Sequence, residues 1–339
     1  MKLLITGGCG FLGSNLVAHG VKRGDQVLVI DNLSRHGSSD NLAWLRLVGE
    51  FEFCNLDVRD ADRLTATMDY FRPDTVFHLA GQVAMTTSIA NPRLDFEVNA
   101  LGTFNILDAV RRNAPDAVFL YSSTNKVYGD LLQYHYEEMQ TRYVCKEYPR
   151  GFNEKVPLEF HSPYGCSKGS ADQYTLDYGR MFGLRTVVFR HSSMYGGRQF
   201  ATSDQGWIGW FCAQALRQSQ GNREPFTISG NGKQVRDALH SEDMVALYFD
   251  ASERISAVAG NAFNIGGGAE NSLSILELFN HLEAILGTEL NYTKLPPRSS
   301  DQLVFVADIS KIHELTGWSP KVDVRQGLVR MMDWIKQCQ

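Results

Sequence analysis

An α/β fold built on a doubly wound parallel sheet, followed by a smaller substrate domain, is predicted by three features of this 339-residue sequence. Short runs of continuous apolar residues alternate with helical patterns up to Arg190. A glycine turn joins the first run to the first helix. Beyond Arg190 the alternation gives way to irregular stretches rich in Gly, Gln and aromatic residues. Strands that are apolar at every position belong to a parallel sheet covered on both faces, because a half-exposed strand would alternate polar and apolar residues.

The elements follow in order. Leu3-Leu4-Ile5 is the first strand, Gly7 to Gly13 the turn and Phe11 to Arg23 the first helix. Val27-Leu28-Val29-Ile30 is the second strand, ending at Asp31. Further strands are Phe51-Glu52-Phe53, Thr75 to Leu79, Ala117 to Tyr121 ending at Ser122-Ser123-Thr124, and Thr186 to Phe189. Residues 130–160 are irregular and aromatic, too long for an ordinary connection, and are read as a lid or wall over a ligand. Leu273 to Leu286 reads as one amphipathic helix stopped by Gly287. The division expected is 1–189 for the sheet domain, insertion included, and 190–339 for most of the second domain.

Composition excludes several classes. Lys plus Arg number 33 against 38 Asp plus Glu, a formal charge of −5, which gives no electrostatic reason to expect a nucleic acid partner. With 43% hydrophobic and 21% charged residues the chain has the material for a sizeable core. The six cysteines form no C-x-x-C pair, and the nine histidines show no metal-ligand spacing, so neither a disulfide framework nor a metal is expected. No apolar run approaches the roughly 18 residues of a membrane helix. These features are read as those of a cytoplasmic protein.

Gly7-Gly8-Cys9-Gly10-Phe11-Leu12-Gly13 contains G-x-G-x-x-G after a strand and before a helix. Gly7, Gly10 and Gly13 let the backbone turn tightly and bring unpaired N–H groups to a pyrophosphate. Asp31 closes the next strand, where a carboxylate accepts from the adenosine ribose and repels a 2′-phosphate; NAD is therefore the expected cofactor, with Asn32, Ser34 and Arg35 beside it. Asp57 reads equally as a solvated strand-end carboxylate or an acceptor for the adenine amino group.

Ser162 and Pro163 start a helix, which puts Tyr164 and Lys168 at i and i+4 on one face. An ammonium beside the phenol favours the phenolate, a proton acceptor for an alcohol losing hydride. Thr124 ends the preceding strand at the carboxyl edge, where its hydroxyl would share that proton, and Ser122 reads as a strand-end cap or a cofactor contact.

Taken together, the glycine motif, Asp31, Asp57, His78-Leu79-Ala80-Gly81, Asn99, Thr124 through Val127-Tyr128-Gly129, Tyr164 to Lys168 and Arg190 resemble the extended short-chain dehydrogenase/reductase family. The resemblance implies a Rossmann domain with tightly held NAD and a small C-terminal domain for a nucleotide-activated sugar. It makes Thr124, Tyr164 and Lys168 the catalytic set, with Lys168 also on the nicotinamide ribose. It places Phe11, Leu12, Asp57, Val58, Leu79, Ala80, Gly81, Gln82 and Asn99 at the cofactor.

Dehydratases of that family carry Asp-Glu directly after the threonine, whereas this chain has Asn125-Lys126. Elimination of water needs that acid and base, so the resemblance implies reversible oxidation without elimination, an epimerase, with a net reductase as the alternative. A non-catalytic dinucleotide sensor is a third reading. Ser123 to Gly129 with its aromatic insertion is similar to family members acting at C2 of a CDP-activated 3,6-dideoxyhexose. Asn125 is then expected on a sugar hydroxyl and Lys126 toward solvent.

Arg236 and Arg298 with Asp301 match positions that hold the diphosphate, although each arginine alone also reads as a surface residue. Ser193 and Gln199 are expected at the substrate. Trp207 is a core residue or part of a base pocket. The resemblance further implies a homo-oligomer, dimer or tetramer, joined through helices near Asn99 to Arg111 and Tyr164 to Met181.

Overall fold

A computed structural model describes residues 1–298 and 301–338. Its centre is a seven-stranded, all-parallel sheet of β1 (Lys2–Thr6), β2 (Gln26–Asp31), β3 (Glu52–Asn55), β4 (Thr75–His78), β5 (Val118–Thr124), β6 (Arg185–His191) and β7 (Asn261–Ile265). The strands lie in the order β7-β6-β5-β4-β1-β2-β3, so the chain's order of winding reverses between β1 and β4. Ligands of such sheets bind at that switch point, outside the carboxyl ends of the strands.

Helices cover both faces. On one, α1 (Phe11–Lys22) and α5 (Ser241–Glu253) bury Leu16, Val17, Leu247 and Tyr248 against Ile5, Val29, Phe77 and Phe189. On the other, α2 (Gly102–Asn113) and α3 (Ser162–Phe182) pack Ile106, Val110 and Ala171 on Val76, Phe119 and Tyr121.

The six strands read from the sequence are present with ends shifted by one to three residues: β4 stops at His78, one short of Leu79, and β3 and β5 begin one residue late, at Glu52 and Val118. The seventh, β7, comes from the C-terminal half. Its pattern, Asn261-Ala262-Phe263-Asn264-Ile265, is broken by two asparagines and does not signal a buried strand, yet it pairs in register with β6 along its whole length. The chain after Arg190 is thus shared: α5 and β7 complete the sheet, Ile255, Val258, Ile312 and Trp318 pack into its core, and much of what remains forms the second lobe. There α4 (Trp207–Ser219), α6 (Ile275–Leu286) and α7 (Val324–Cys338) enclose a core of Phe211, Phe226, Phe279, Leu282, Leu328 and Met331.

The 130–160 insertion is a wall, packed on its own core. Its short hairpin, Tyr136–Glu138 with Tyr143–Cys145, stands beside Leu131, Phe152 and Val156, which bury against Val304 to Ala307. Phe152 and Tyr128 both stack on Phe305, at 5.7 and 5.9 Å. Arg142 makes a two-pronged pair with Glu277 and donates to the Ser272 carbonyl at 2.9 Å. Glu277 also completes the capping box of α6, accepting from the Ser274 amide.

Two histidines in the core are held neutral. His78 lies between the Thr6 and Thr103 hydroxyls at 2.6 and 2.9 Å, His191 meets the Tyr248 hydroxyl at 3.0 Å, and burial pulls both rings down to about 3. Unfolding therefore takes up a proton at each ring once the pH falls below the unfolded value near 6.5. Burial raises Asp237 to about 6, so it gives up one proton on unfolding in the same range and opposes one of the two. Burial also raises Asp31, Asp95 and Glu154, which oppose the histidines in the same way. His78 by itself costs stability as pH drops from about 6.5 to 4.5, so the urea midpoint of His78→Gln, which keeps hydrogen-bonding groups, is expected to lose less, or gain more, than wild type over that range. An equal slope in wild type and variant would remove His78 from the account.

Candidate active site

The turn after β1 is a cradle that side chains would fill. Gly7 has φ +66, and a Cβ there would sit 2.7 Å from the Ala80 nitrogen; a Cβ on Gly13 would meet the Gly7 carbonyl oxygen. Gly10 precedes α1 without a side-chain cap. The first-turn amides of Phe11, Leu12 and Gly13 have no intrahelical acceptor and open toward the carboxyl end of the sheet. Asp31 anchors the turn, one carboxylate oxygen accepting from the Cys9 amide at 2.9 Å and the other from the Leu33 amide at 2.8 Å. A carboxylate has about four acceptor positions, so two remain for hydroxyls. These residues fit a dinucleotide.

Around them, Asn32 donates to Asp57 at 2.8 Å and accepts from the Ser34 hydroxyl at 2.7 Å. Asp57 is also paired with Arg59, which holds its carboxyl down at about 2. Val58 lies in the core against Gly102, and its side chain is apolar, so only its main chain can offer a polar contact; its carbonyl accepts from Asn105 at 3.0 Å. Ala80, Gly81 and Gln82 form the loop after β4, and Asn99 fixes it: its carbonyl oxygen accepts from the Gln82 amide at 2.9 Å while its NH2 reaches the Gln82 carbonyl at 3.0 Å. Asn99 sits in a single π-turn, Glu97–Leu101, which aims it at this loop.

The residues expected to form the catalytic set converge on the end of β5. Thr124 hydrogen-bonds the Tyr164 phenol. Lys168 donates to the Ser122 carbonyl and stands 4.4 Å from the centre of the Tyr121 ring. Ser162 takes φ +63, and its hydroxyl accepts from the Gly165 amide at 3.2 Å, which caps the helix that presents Tyr164. Burial pushes Tyr164 up to about 12, with the Asp95 carboxylate adding to the rise and the Thr124 bond opposing it. Burial pulls Lys168 down to about 7 against the pull of Asp172 and Asp95.

Asp95 and Ser167 escape sequence reading. Ser167 donates to Asp95 at 2.5 Å, and Asp95 also accepts from Gln82 and Asn99, so one buried carboxylate ties the cofactor loop to the helix of Tyr164 and Lys168. Asp95 and Asn99 are four residues apart, a helical spacing that signals a shared face, but nothing marks Ser167 as their partner.

On the substrate side Arg236 pairs with Asp301 at 2.7 Å. Lys126, expected toward solvent, is half-buried beside Arg236, Asp301 and Asp130, and burial lowers it to about 8. Asn125, expected on a sugar hydroxyl, is buried and donates to Gln302 at 2.8 Å, which in turn holds the Gly129 carbonyl. Ser193 accepts from the Trp207 indole at 2.9 Å. Gln199 lines a cleft with Cys9, Gly10 and Phe11, on the cofactor side. Arg298 is exposed, bonded to Ser229 and the Ser203 carbonyl. Among the described residues no three His, Cys, Asp or Glu side chains gather as a metal site, and no helix is long and apolar enough to cross a membrane.

The family model for GDP-mannose 4,6 dehydratase matches residues 4–332. The chain belongs to that family of NAD-dependent epimerases and dehydratases. Within the family it is 60% identical over 334 residues to the CDP-paratose 2-epimerase of Salmonella typhi, spanning 98% of this chain and 99% of the other. It is 31% identical to a putative UDP-glucose 4-epimerase of Methanocaldococcus jannaschii over 98% of both chains. Among solved structures, the UDP-glucuronic acid 4-epimerase of Bacillus cereus, in complex with UDP-glucuronic acid and NAD, superposes with a TM-score of 0.85 at 27% identity and full coverage of both chains.

Family membership gives the Thr124-Tyr164-Lys168 cluster its test. Tyr164→Phe removes one hydroxyl from a formed site, and turnover is expected to fall by about 10²–10⁴-fold with the far-UV circular dichroism unchanged. Turnover at the wild-type rate would move the proton acceptor elsewhere.

Proposed function

We propose that this protein is a cytoplasmic NAD-dependent isomerase that inverts C2 of a CDP-activated 3,6-dideoxyhexose, converting CDP-paratose to CDP-tyvelose. The observation that carries the reading is the 60% identity to a CDP-paratose 2-epimerase across the length of both chains. The segment after Thr124 supports it: Asn125 is committed to Gln302 and Lys126 is a cation, so no carboxylate pair stands where elimination would need an acid and a base. All six cysteines are free, the state a reducing cytoplasm maintains.

When bound, NAD supplies a reversible store for one hydride and a positive charge beside the phenol. Gly7, Gly10, Phe11, Leu12 and Gly13 would hold its pyrophosphate, Asp31 its ribose, and the Ala80–Gln82 loop with Asn99 its nicotinamide half. Tyr164 accepts the proton of the substrate hydroxyl through the bond network with Thr124 and returns it at the end of the cycle. Lys168 stabilises the phenolate and orients the ribose. Arg236 and Arg298 bind the diphosphate, and Lys126 adds a third cation on that side, holding the nucleotide while the sugar turns between its two faces.

The reading predicts that substrate deuterated at C2 keeps its label within the same molecule, without external NADPH. Washout of the label, stoichiometric NADPH consumption, or a 4-keto-6-deoxy product from CDP-glucose would each refute it.

The protein also acts as a homo-oligomer in this reading. Leu101 and Phe104, at and in α2, and Tyr174, Met181 and Phe182, on α3, are exposed at 38%, 38%, 47%, 69% and 53%, which leaves an apolar face without cover in one chain. Light scattering is expected to give at least twice the mass of a single chain, and Phe104→Glu to shift the mass toward the monomer. A monomer in the wild type would exclude this interface.

A further inference from the structure

Residues 197 and 198 reach the glycine turn through two side chains. Asn15, in the second turn of α1, donates its two amide hydrogens to the carbonyls of Phe11 at 2.8 Å and Gly197 at 3.0 Å. Asn41 does the same between Cys9 at 3.0 Å and Arg198 at 3.2 Å. Each side chain thus spans from the turn that would hold the pyrophosphate to two consecutive residues following the strand Ser193–Tyr195. A carboxamide NH2 has two hydrogens, and both are used in each bridge.

The bridged segment is fixed from its other side as well. Arg198 takes φ +71, a conformation that costs a non-glycine residue energy and persists only where its surroundings enforce it. Its guanidinium lies 4.1 Å above the Trp44 ring. Phe200 packs edge-on against Trp334 at 5.3 Å and lies so close over Gly37, itself at φ +81, that a Cβ there would overlap the ring. Beneath runs a narrow cleft, lined by Cys9, Gly10, Phe11 and Arg35 and by Arg198, Gln199 and Phe200. Neither Arg35 nor Arg198 faces a carboxylate among the described residues, and burial weakens the hold of both on their protons. Two arginines lining one cleft with the N-terminal residues of a helix suit a diphosphate.

We propose that Gly197–Phe200 is a strap that retains the dinucleotide, fastened across the cleft by Asn15 and Asn41, with Arg198 placed to meet the cofactor's diphosphate. The proposal rests on the dinucleotide reading above and adds the residues that govern release. A cofactor regenerated in every cycle has no need to leave, and a strap closed by side-chain bridges between lobes slows its departure without touching the reacting atoms. Opening requires the Gly197 and Arg198 carbonyls to leave their donors while Phe200 leaves Gly37.

The test is the rate at which NAD leaves the purified holoenzyme, followed by dilution into an enzymatic NAD trap. Asn15→Ala and Asn41→Ala are each expected to speed release by about tenfold, because each removes one bridge between the lobes. Circular dichroism checks the fold of each variant. Phe200→Ala, which leaves both asparagines in place, is expected to speed release similarly and carries the test if the asparagine variants do not fold. Release at the wild-type rate in folded variants overturns the strap while leaving the NAD reading intact. A wild-type protein that neither retains nor takes up NAD overturns the dinucleotide reading and the strap with it.

Discussion

The buried pair between Arg190 and Asp172 underlies the whole catalytic edge. Two nitrogens of Arg190, near the end of β6, meet the two carboxylate oxygens of Asp172 on α3 at 2.9 Å each. Asp172 also accepts from Ser123 on β5, and Arg190 donates to the Tyr128 hydroxyl, which reaches Asn264 on β7. One ion pair therefore fixes two central strands, an edge strand and the helix that carries Tyr164 and Lys168. Removing either partner leaves an uncompensated charge in the interior, at a cost of about 3–5 kcal/mol. Thr124 and Lys168 lie within a turn or a strand step of this network, so their geometry is inherited from it.

The lobes are joined on both sides of the site by polar contacts of amide side chains. Below Thr124, Asn125 and Gln302 link the end of β5 to the C-terminal lobe. Above the glycine turn, Asn15 and Asn41 do so. Such contacts keep a direction that apolar packing alone lacks, because each donor has one acceptor at one distance.

Much of this was legible in the sequence because each signal is local. The glycine turn, Asp31 and the Tyr164–Lys168 spacing are set by neighbours within a few positions, and the structure places all of them at one edge of the sheet. Six strands announced themselves by continuous apolar runs; β7 did not, because Asn261 and Asn264 interrupt it and Asn264 is justified only by partners from Tyr128, Phe152 and Glu154. Lys126 was misread for the same reason. A lysine in a short 3-10 turn looks solvated until Arg236, Asp301 and Asp130 arrive from distant parts of the chain. Asp95 with Ser167 and the bridges of Asn15 and Asn41 are likewise long-range, and no periodicity reports them.

Glu277 serves two elements at once, closing the start of α6 and gripping Arg142 of the aromatic wall. The wall and that helix are therefore one inheritable unit. A graft of residues 130–160 into a relative would arrive without its fastening unless the 272–277 segment travelled with it, and a natural change in the wall's length is constrained by a helix end more than a hundred residues away in the chain.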